Sequence, residues 1–150
     1  MDLLDEAKIM FARFQTPASI LMIDIDRFKS INDNFGHKEG DTVLCNLVQV
    51  LCGRLRRSDK ICRYGGEEFV VVLIGARLEQ GGNVAEELRG MIERARLSSK
   101  ISVTVSCGVA EAKNSDSVLE WLSRADSALY RAKAEGRNRV VLESEGSAEV

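Results

Sequence analysis

Residues 63–69 have the sequence Arg-Tyr-Gly-Gly-Glu-Glu-Phe, and the apolar run Val-Val-Val-Leu-Ile follows at 70–74. Two glycines between strand-like segments predict a tight β-hairpin at this point. Glu67 and Glu68 follow the glycines directly, so they lie at the tip of the hairpin. Because a turn does not need two neighbouring carboxylates in order to fold, the pair indicates a binding site for a cation, and a metal ion in particular.

The composition limits the classes of protein that remain. With 150 residues, 45% of them hydrophobic, the chain is large enough for one domain with a real core. A net charge of −2 gives no basic field for a nucleic-acid polymer. No apolar run reaches the ~20 residues of a membrane helix, and the acidic N-terminus does not resemble a signal peptide. We expect the four scattered cysteines to be small core residues in a reducing cytosol rather than zinc ligands.

Hydrophobic periodicity predicts a mixture of helices and strands. We expect helices over residues 3–14, 26–35, 41–55, 79–97 and 117–135, and strands over 18–25, 60–64, 69–74, 101–109 and 138–142. Hairpin strands mixed with helices favour one α+β domain over residues 1–150, with a ferredoxin-like or palm-type sheet that is rich in antiparallel pairs and flanked by helices. Residues 1–17 would hold a partial N-terminal helix, and the polar tail 143–150 is expected to fray.

Asp24 and Asp26 end the first predicted strand at positions i and i+2, which project to one face of an extended strand. Their alternative role is to terminate the strand and cap the helix that follows. If the hairpin pairs beside this strand, Asp24 and Glu67 approach each other and repel by several kcal/mol at ~4 Å. Such a cluster needs a cation between the acids. Oxygen ligands without His or Cys favour Mg²⁺ or Mn²⁺.

These residues resemble the GGDEF domain of diguanylate cyclases, here in its GGEEF form. The resemblance runs from about Ser19 to Val141 and rests on ordered blocks at 21–29, 31–33, 35–37, 40–41, 63–69, 103–110, 125–130 and 132–140. It implies a bacterial, cytoplasmic enzyme that condenses two GTP molecules into cyclic di-GMP and pyrophosphate. The 3′-hydroxyl of one GTP would attack the α-phosphate of the other. Because one domain offers one GTP site, catalysis would need a two-fold symmetric homodimer.

The resemblance also implies roles for individual residues. Asp24 and Glu67 would hold the metal with the backbone carbonyl of Ile25, and Glu68 would assist as the third catalytic acid. Gly65 and Gly66 would let the backbone approach the nucleotide. The remaining substrate-binding residues would be Asn32 and Asp41 for guanine, and Phe28, Lys29, Lys133 and Arg137 for the phosphates. For Lys133 and Arg137 alone, the alternative is a solvated helix end whose charge suits the C-terminal dipole.

A second motif, Arg56-Arg57-Ser58-Asp59, matches the RxxD product-inhibition site of the family. Arg56 would bind a phosphate of cyclic di-GMP or stack on guanine, and Asp59 would accept a hydrogen bond from a guanine edge. The alternative is a charged turn between a helix and a strand. The second arginine of the family's site falls about where this chain has Glu87, and Arg89 is the candidate substitute.

The chain departs from the family pattern at its N-terminal end. The family's usual Asp-x-Leu-Thr-Gly-Leu-x-Asn-Arg segment and an N-terminal sensor domain are both missing from the sequence, so we expect a shortened chain. The alternative function is a catalytically weak or silent module that binds GTP or cyclic di-GMP. A generic nucleotide-binding α+β domain is a third interpretation. The intact acids Asp24, Glu67 and Asp41 favour the enzyme over the binding module, and the guanine-reading pair of Asn32 and Asp41 makes the generic domain less favoured.

Overall fold

The computed structural model describes residues 5, 8, 9 and 15–144. Within them the chain forms, in order, β1 Ala18–Ile25, α1 Phe28–Phe35, α2 His37–Arg54, β2 Lys60–Arg63, β3 Glu68–Ile74, α3 Leu78–Ala95, β4 Val105–Glu111, α4 Val118–Ala134 and β5 Val140–Leu142. The helix predicted over 3–14 and most of the predicted tail fall outside the continuous described segment, so those expectations stay predictions.

The strands form one mixed sheet in the order β2-β3-β1-β4-β5. β1 is antiparallel to both of its neighbours, β3 and β4, and β2 is antiparallel to β3. β5 runs parallel to β4 at the opposite edge. Every residue of β1 is buried, which explains its continuous apolar run, since a strand covered on both faces needs no alternation. The sheet and its helices confirm the predicted α+β class.

Helices cover both faces of the sheet. On one face, Leu21 of β1 shares a core cluster with Leu47 of α2 and Leu88 of α3. On the other face, Met22 of β1 shares a second cluster with Trp121 of α4. The odd-numbered and even-numbered side chains of β1 therefore enter different cores, as the two-residue period of a strand requires.

The backbones of α4 and β4 approach closely at Gly108. A Cβ atom at this position would lie 2.2 Å from the carbonyl oxygen of Ala125 and 2.3 Å from the backbone nitrogen of Leu129. A side chain larger than hydrogen would force the helix away from the sheet. The contact fixes the position of α4, and thereby the position of Lys133 in its last turn.

Two elements begin four residues away from the predicted position, and the other boundaries agree within two residues. α2 begins at His37 rather than Asp41, because Gly36 ends α1 and starts α2 with a backbone φ of 90°. β4 begins at Val105 rather than Ile101. The hydroxyl of Ser98 accepts hydrogen bonds from the backbone amides of Lys100 and Ile101 and holds that segment in a turn.

The structure also bears on two expectations from composition. Cys107 is buried, but Cys45, Cys52 and Cys62 are exposed, so the prediction that all four are core residues is wrong for three of them. Those three lie on outward faces of α2 and β2, and their apolar neighbours in sequence do not reveal this. Among the described residues, no helix combines the length and the apolar composition that a membrane span requires.

Candidate active site

The end of β1 and the start of β3 bring the three predicted catalytic acids together. Asp24 is the register partner of Glu68, and the backbone amide of Ile25 donates a hydrogen bond to the carbonyl of Glu67 at 3.3 Å. Asp24 is only 2% exposed. Glu67 and Glu68 are half-buried. The pairing of the hairpin beside β1, which the sequence analysis required for an acid cluster, is therefore observed.

The acids perturb one another electrostatically. Burial raises the pKa of Glu67, and the Asp24 carboxylate raises it further through repulsion and a hydrogen bond. Burial is also the main reason why the pKa of Glu68 is raised, and repulsion from Asp24 adds to it. Because the Asp24 carboxylate makes ionisation of Glu67 and Glu68 less favourable, an added positive charge stabilises the cluster.

Lys133 supplies one positive charge to this cluster. Its Nζ donates a hydrogen bond to Oδ2 of Asp24 at 2.5 Å. The contact opposes the rise in pKa of both Glu67 and Glu68. Lys133 therefore forms an ion pair with the acid cluster. Its alternative role, a solvated charge at the end of a helix, does not apply.

The donor set fits a hard divalent cation. In the part of the chain that the structure describes, no group of three or more His, Cys, Asp or Glu side chains is arranged to hold a metal ion. The predicted set needs only two carboxylates, from Asp24 and Glu67, with the backbone carbonyl of Ile25. Such all-oxygen ligation suits Mg²⁺ or Mn²⁺, and Mg²⁺ commonly completes its coordination with substrate phosphates and water. The ammonium group of Lys133 at Asp24 already places one positive charge beside these acids.

The turn of the hairpin leaves space on its outer side. Arg63 stabilises the turn through two hydrogen bonds: its Nε donates to the carbonyl of Gly65 at 3.2 Å, and its Nη2 donates to the carbonyl of Gly66 at 2.6 Å. A Cβ on Gly66 would meet no atom within 4 Å, and neither glycine has a positive φ. The chain itself therefore does not require glycine here, and a ligand has room to approach. The sequence analysis missed the role of Arg63.

Asn32 of α1 lies against Gly40, the residue before Asp41 in α2. A Cβ on Gly40 would lie 2.0 Å from Oδ1 of Asn32 and 3.2 Å from Cζ of Phe28. Only glycine leaves space for the Asn32 amide over the first turns of α2. Asp41, the next residue, is exposed. The Asn32 amide therefore lies over the residue that precedes Asp41, near the ring of the buried Phe28.

An apolar cavity continues from Asp41 along the same face of α2, because residues three, four and seven positions apart share a helix face. It has a volume of ≈ 410 Å³ and lies between α2 and the β2–β3 hairpin. Its lining residues are Leu44, Cys45, Val48, Ile61, Arg63 and Phe69. A carboxylate at the end of an apolar wall is an arrangement that suits a flat, hydrogen-bonding ring.

The start of α1 offers backbone amides and lies beside a cavity that is lined by two arginines and by Asp26. The N-cap residue Arg27 has a left-handed backbone, and no side chain caps the amides of the first turn, which begins at Phe28. Lys29 is exposed and lies 3.8 Å from Asp33. Arg137 and Arg27 line a cavity of ≈ 350 Å³, whose polar wall includes the hydroxyls of Ser30, Ser102 and Thr104. Free amides and cations at one helix start favour an anionic ligand.

Arg56 and Asp59 of the RxxD motif are bonded to each other. The backbone amide of Arg56 donates to Oδ2 of Asp59 at 2.8 Å, and its guanidinium reaches each carboxylate oxygen at 3.5 Å. Asp59 is buried, and its carboxylate stabilises the turn. The motif therefore forms the charged turn between a helix and a strand that was its alternative interpretation. The side chain of Arg56 is 62% exposed and remains accessible.

The predicted second arginine is not brought to this motif. Glu87 of α3 forms an ion pair with Arg54, in the last turn of α2. Arg89 instead donates to Glu86 and, at 2.8 Å, to Oδ1 of Asn138. Residues two apart on a helix project about 200° apart, so Glu87 and Arg89 face different sides of α3. Arg89 therefore lies with the segment before β5 rather than with Arg56.

Asp26 has a role that the sequence analysis did not assign. Its carboxylate accepts hydrogen bonds from the hydroxyls of Thr104 at 2.7 Å and Ser106 at 2.6 Å, and from the backbone amide of Asn138 at 3.0 Å. It does not cap α1, whose N-cap is Arg27. The sequence signal that could have indicated this role is the pair Thr104 and Ser106, two hydroxyl residues at alternate positions in the otherwise apolar segment 103–110.

Comparisons with known proteins agree with these features. The family model described as diguanylate cyclase, GGDEF domain, matches residues 2–139. Over 123 residues the chain is 46% identical to the diguanylate cyclase DgcM of Escherichia coli K12, which covers 82% of this chain and 30% of that protein. The chain thus spans about a third of the length of such relatives.

Solved structures are similar over nearly the whole chain. The GGDEF domain of DgcB from Caulobacter crescentus, in complex with c-di-GMP, has a TM-score of 0.88 and 33% identity, over 94% of this chain and 86% of that one. The active GGEEF domain of a diguanylate cyclase from Vibrio cholerae has a TM-score of 0.89 and 34% identity, over 94% of this chain and 92% of that one.

Proposed function

The chain belongs to the GGDEF domain family of diguanylate cyclases, and from this premise we propose that it condenses two GTP molecules into cyclic di-GMP and pyrophosphate. The observation that carries the proposal is the cluster of Asp24, Glu67 and Glu68 with Lys133 at its edge. Three acids and one cation around the tip of a hairpin suit transfer of a phosphoryl group, which needs charge neutralisation more than covalent chemistry.

Asp24 and Glu67 would hold Mg²⁺ or Mn²⁺ together with the backbone carbonyl of Ile25. When bound, such a metal lowers the pKa of the attacking 3′-hydroxyl and neutralises charge on the transferred phosphoryl group. The mutual repulsion of the acids supports this assignment, because a divalent cation relieves it. Glu68 lies beside them as an additional carboxylate that would accept a proton or adjust the site.

Asn32 and Asp41 would select guanine. The carboxylate of Asp41 can accept hydrogen bonds from N1–H and the N2 amine of guanine, and adenine offers neither donor in that position. The position of Asn32 over Gly40 supports this pairing, since it puts an amide over the residue that precedes Asp41. The apolar cavity along α2 would bury part of the ring.

The phosphates would lie over the start of α1, where Phe28 and Lys29 begin the helix and its first amides have no side-chain cap. Lys133 and Arg137 would bind them from the opposite side. Lys133 is already at Asp24, so it can contact both the acid cluster and an incoming phosphate without moving far. Each charge-assisted hydrogen bond to a phosphate oxygen is short and strong.

Two copies of the chain would complete the reaction. The acids, the amide–carboxylate pair and the phosphate-binding cations of the described residues form one nucleotide site, whereas the reaction joins two nucleotides head to tail. A homodimer with two-fold symmetry supplies the second GTP in the required orientation. The single hairpin with open space in front of Gly66 supports this arrangement.

Arg56 would bind the product. A cavity of ≈ 250 Å³ lies beside it, with Arg54, Asp59 and Gln80 in its wall. The exposed guanidinium of Arg56 suits a phosphate of cyclic di-GMP, while Asp59 orients that guanidinium. Because Glu87 pairs with Arg54, Arg56 would be the arginine that binds the product, with Asp59 and the carbonyl of Ile74 holding its guanidinium.

The reaction is tested by incubating the protein with GTP and Mg²⁺ and detecting the products by mass. We expect cyclic di-GMP and pyrophosphate in a ratio of about one to two from the stoichiometry of the two transfers. Glu67→Gln should abolish them, while the matched variant Glu79→Gln, in the exposed first turn of α3, should not. Binding of GTP with no product in any buffer would favour the non-catalytic binding module instead.

A further inference from the structure

The turn after α4 has an unfavourable backbone conformation. Gly136, Arg137 and Asn138 have φ values of +125°, +65° and +47°. Left-handed backbone is costly for residues with a side chain, although Asn tolerates it better than Arg. Two consecutive residues of this kind, Arg137 and Asn138, persist only where the surrounding structure holds them.

Two independent contacts hold this turn at Asn138. Its backbone amide donates to the carboxylate of Asp26, which is 7% exposed. Its side chain bonds to α3 on the other side, where Oδ1 accepts from Arg89 at 2.8 Å and Nδ2 donates to Glu93 at 2.8 Å. The turn is thus clamped between the end of β1 and the middle of α3.

The clamp leaves Arg137 free to bind a ligand. The carboxylate of Asp26 is occupied by the hydroxyls of Thr104 and Ser106 in addition to the amide of Asn138. Within residues 15–144, the guanidinium groups of Arg137 and Arg27 make no ion pair or hydrogen bond, and both line the same cavity. Asp26 therefore fixes the backbone beside these cations without neutralising them.

We propose that Asp26 and Asn138 are positioning residues that hold Arg137 at the cavity where the phosphates of the substrate bind, and that Arg89 anchors Asn138. This inference rests on the proposed function, and it gives Arg89 a role at the substrate site in place of the product site. Arg137 is the residue that touches the ligand, and the other three act through it.

The backbone and side-chain parts of the clamp are separable by substitution. Asn138→Gly keeps the left-handed backbone and the amide that donates to Asp26, but it removes both bonds to α3. Arg137→Ala removes the ligand-binding group itself. Ser19→Ala is the matched control, because Ser19 is a buried serine on β1 whose hydroxyl bonds to the carbonyl of Ala76, remote from the turn.

The test measures the KM for GTP and, by calorimetry, the affinity for inorganic pyrophosphate with Mg²⁺. We expect Arg137→Ala to weaken both by about tenfold, and Asn138→Gly to weaken both by about fivefold. In the Arg137→Ala background, Asn138→Gly should have no further effect, because its role is to place the missing guanidinium. Ser19→Ala should lower Tm without changing either affinity.

The inference is overturned if Asn138→Gly leaves both affinities at the wild-type value, or if its effect adds fully to that of Arg137→Ala. The second result would mean that the turn is only structural. Unchanged pyrophosphate affinity in Arg137→Ala would overturn it as well. The pyrophosphate titration needs no turnover, so a protein that fails to make cyclic di-GMP contradicts the proposed function and still tests the clamp.

Discussion

The ammonium group of Lys133 donates a hydrogen bond to the buried carboxylate of Asp24, and so joins the last turn of α4 to the end of β1. The two residues are 109 positions apart in the chain. Their contact means that the acids at the hairpin already have a cation next to them. The balance of charge at this point determines how substitution of Glu67 or Lys133 changes stability.

Glu67→Gln should stabilise the protein in the absence of divalent cations, although it abolishes turnover. The folded protein raises the pKa of Glu67 above its ordinary value of 4.5 through burial and Asp24. A carboxyl group whose pKa is raised in the folded state contributes stability at low pH, and this contribution is lost as the pH rises through the pKa of the folded state. At pH 7 with chelator, Tm of the variant should exceed that of the wild type by on the order of 2 °C.

The same comparison at lower pH supplies the control. The difference in Tm should shrink as the pH falls towards 4.5, because Glu67 then becomes neutral in the wild type too. Added Mg²⁺ should raise the Tm of the wild type more than that of Glu67→Gln. A variant that is less stable than the wild type at pH 7 would contradict the repulsion between Glu67 and Asp24.

Lys133→Met should destabilise the metal-free protein. It leaves the carboxylate of Asp24 buried without its cation, and removing one partner of such a pair costs about 1–3 kcal/mol when the other stays largely buried. The free energy of unfolding in urea measures this. Lys29→Met is the matched control, since Lys29 is exposed and its ion pair is with exposed Asp33, so its loss should cost less than about 0.5 kcal/mol. Equal effects of the two variants would argue against the Lys133–Asp24 contact.

Asp41→Asn should reduce discrimination between GTP and ATP. An amide in this position loses one of the two acceptor oxygens that face the guanine edge, so kcat/KM for GTP should fall by about 10- to 100-fold while that for ATP changes little. Because Asp41 is exposed, Tm should be unchanged. Asp33→Asn on the outer face of α1 is the control. Loss of turnover with both nucleotides in equal proportion would show that Asp41 does not read the base.

Arg56→Ala should weaken inhibition by cyclic di-GMP by about tenfold or more, because the variant lacks the exposed guanidinium that would bind the product phosphate. The neighbouring variant Arg57→Ala changes the same net charge on an exposed side chain and should leave the inhibition constant alone. Calorimetry with cyclic di-GMP measures both affinities. Product affinity that survives Arg56→Ala would exclude the RxxD motif as the main product site.

Local sequence patterns predicted the parts of the fold that local chemistry determines. The hairpin and β1 follow from glycines and a continuous apolar run, and the structure confirms both. The starts of α2 and β4 were wrong, because they depend on the backbone of Gly36 and on the hydroxyl of Ser98, which hydrophobic periodicity does not detect.

Long-range contacts explain what the sequence analysis missed at the site. Asp26 bonds to residues 78, 80 and 112 positions away, so neither its neighbours nor its spacing to Asp24 reveals its role. The resemblance to the GGDEF family identified Lys133 as a phosphate-binding residue, but it did not indicate the contact of Lys133 with Asp24. The same resemblance suggested Arg89 for the product site, whereas the helical phase of α3 turns it towards Asn138.

The most direct test of the account is the fate of GTP in the presence of the wild-type protein and Mg²⁺, followed by mass spectrometry. The account predicts that GTP is consumed and that cyclic di-GMP and pyrophosphate accumulate, with no product when chelator replaces Mg²⁺. GTP that remains intact at protein concentrations where the chain forms dimers would contradict the assignment of the Asp24–Glu67 cluster as the site of phosphoryl transfer.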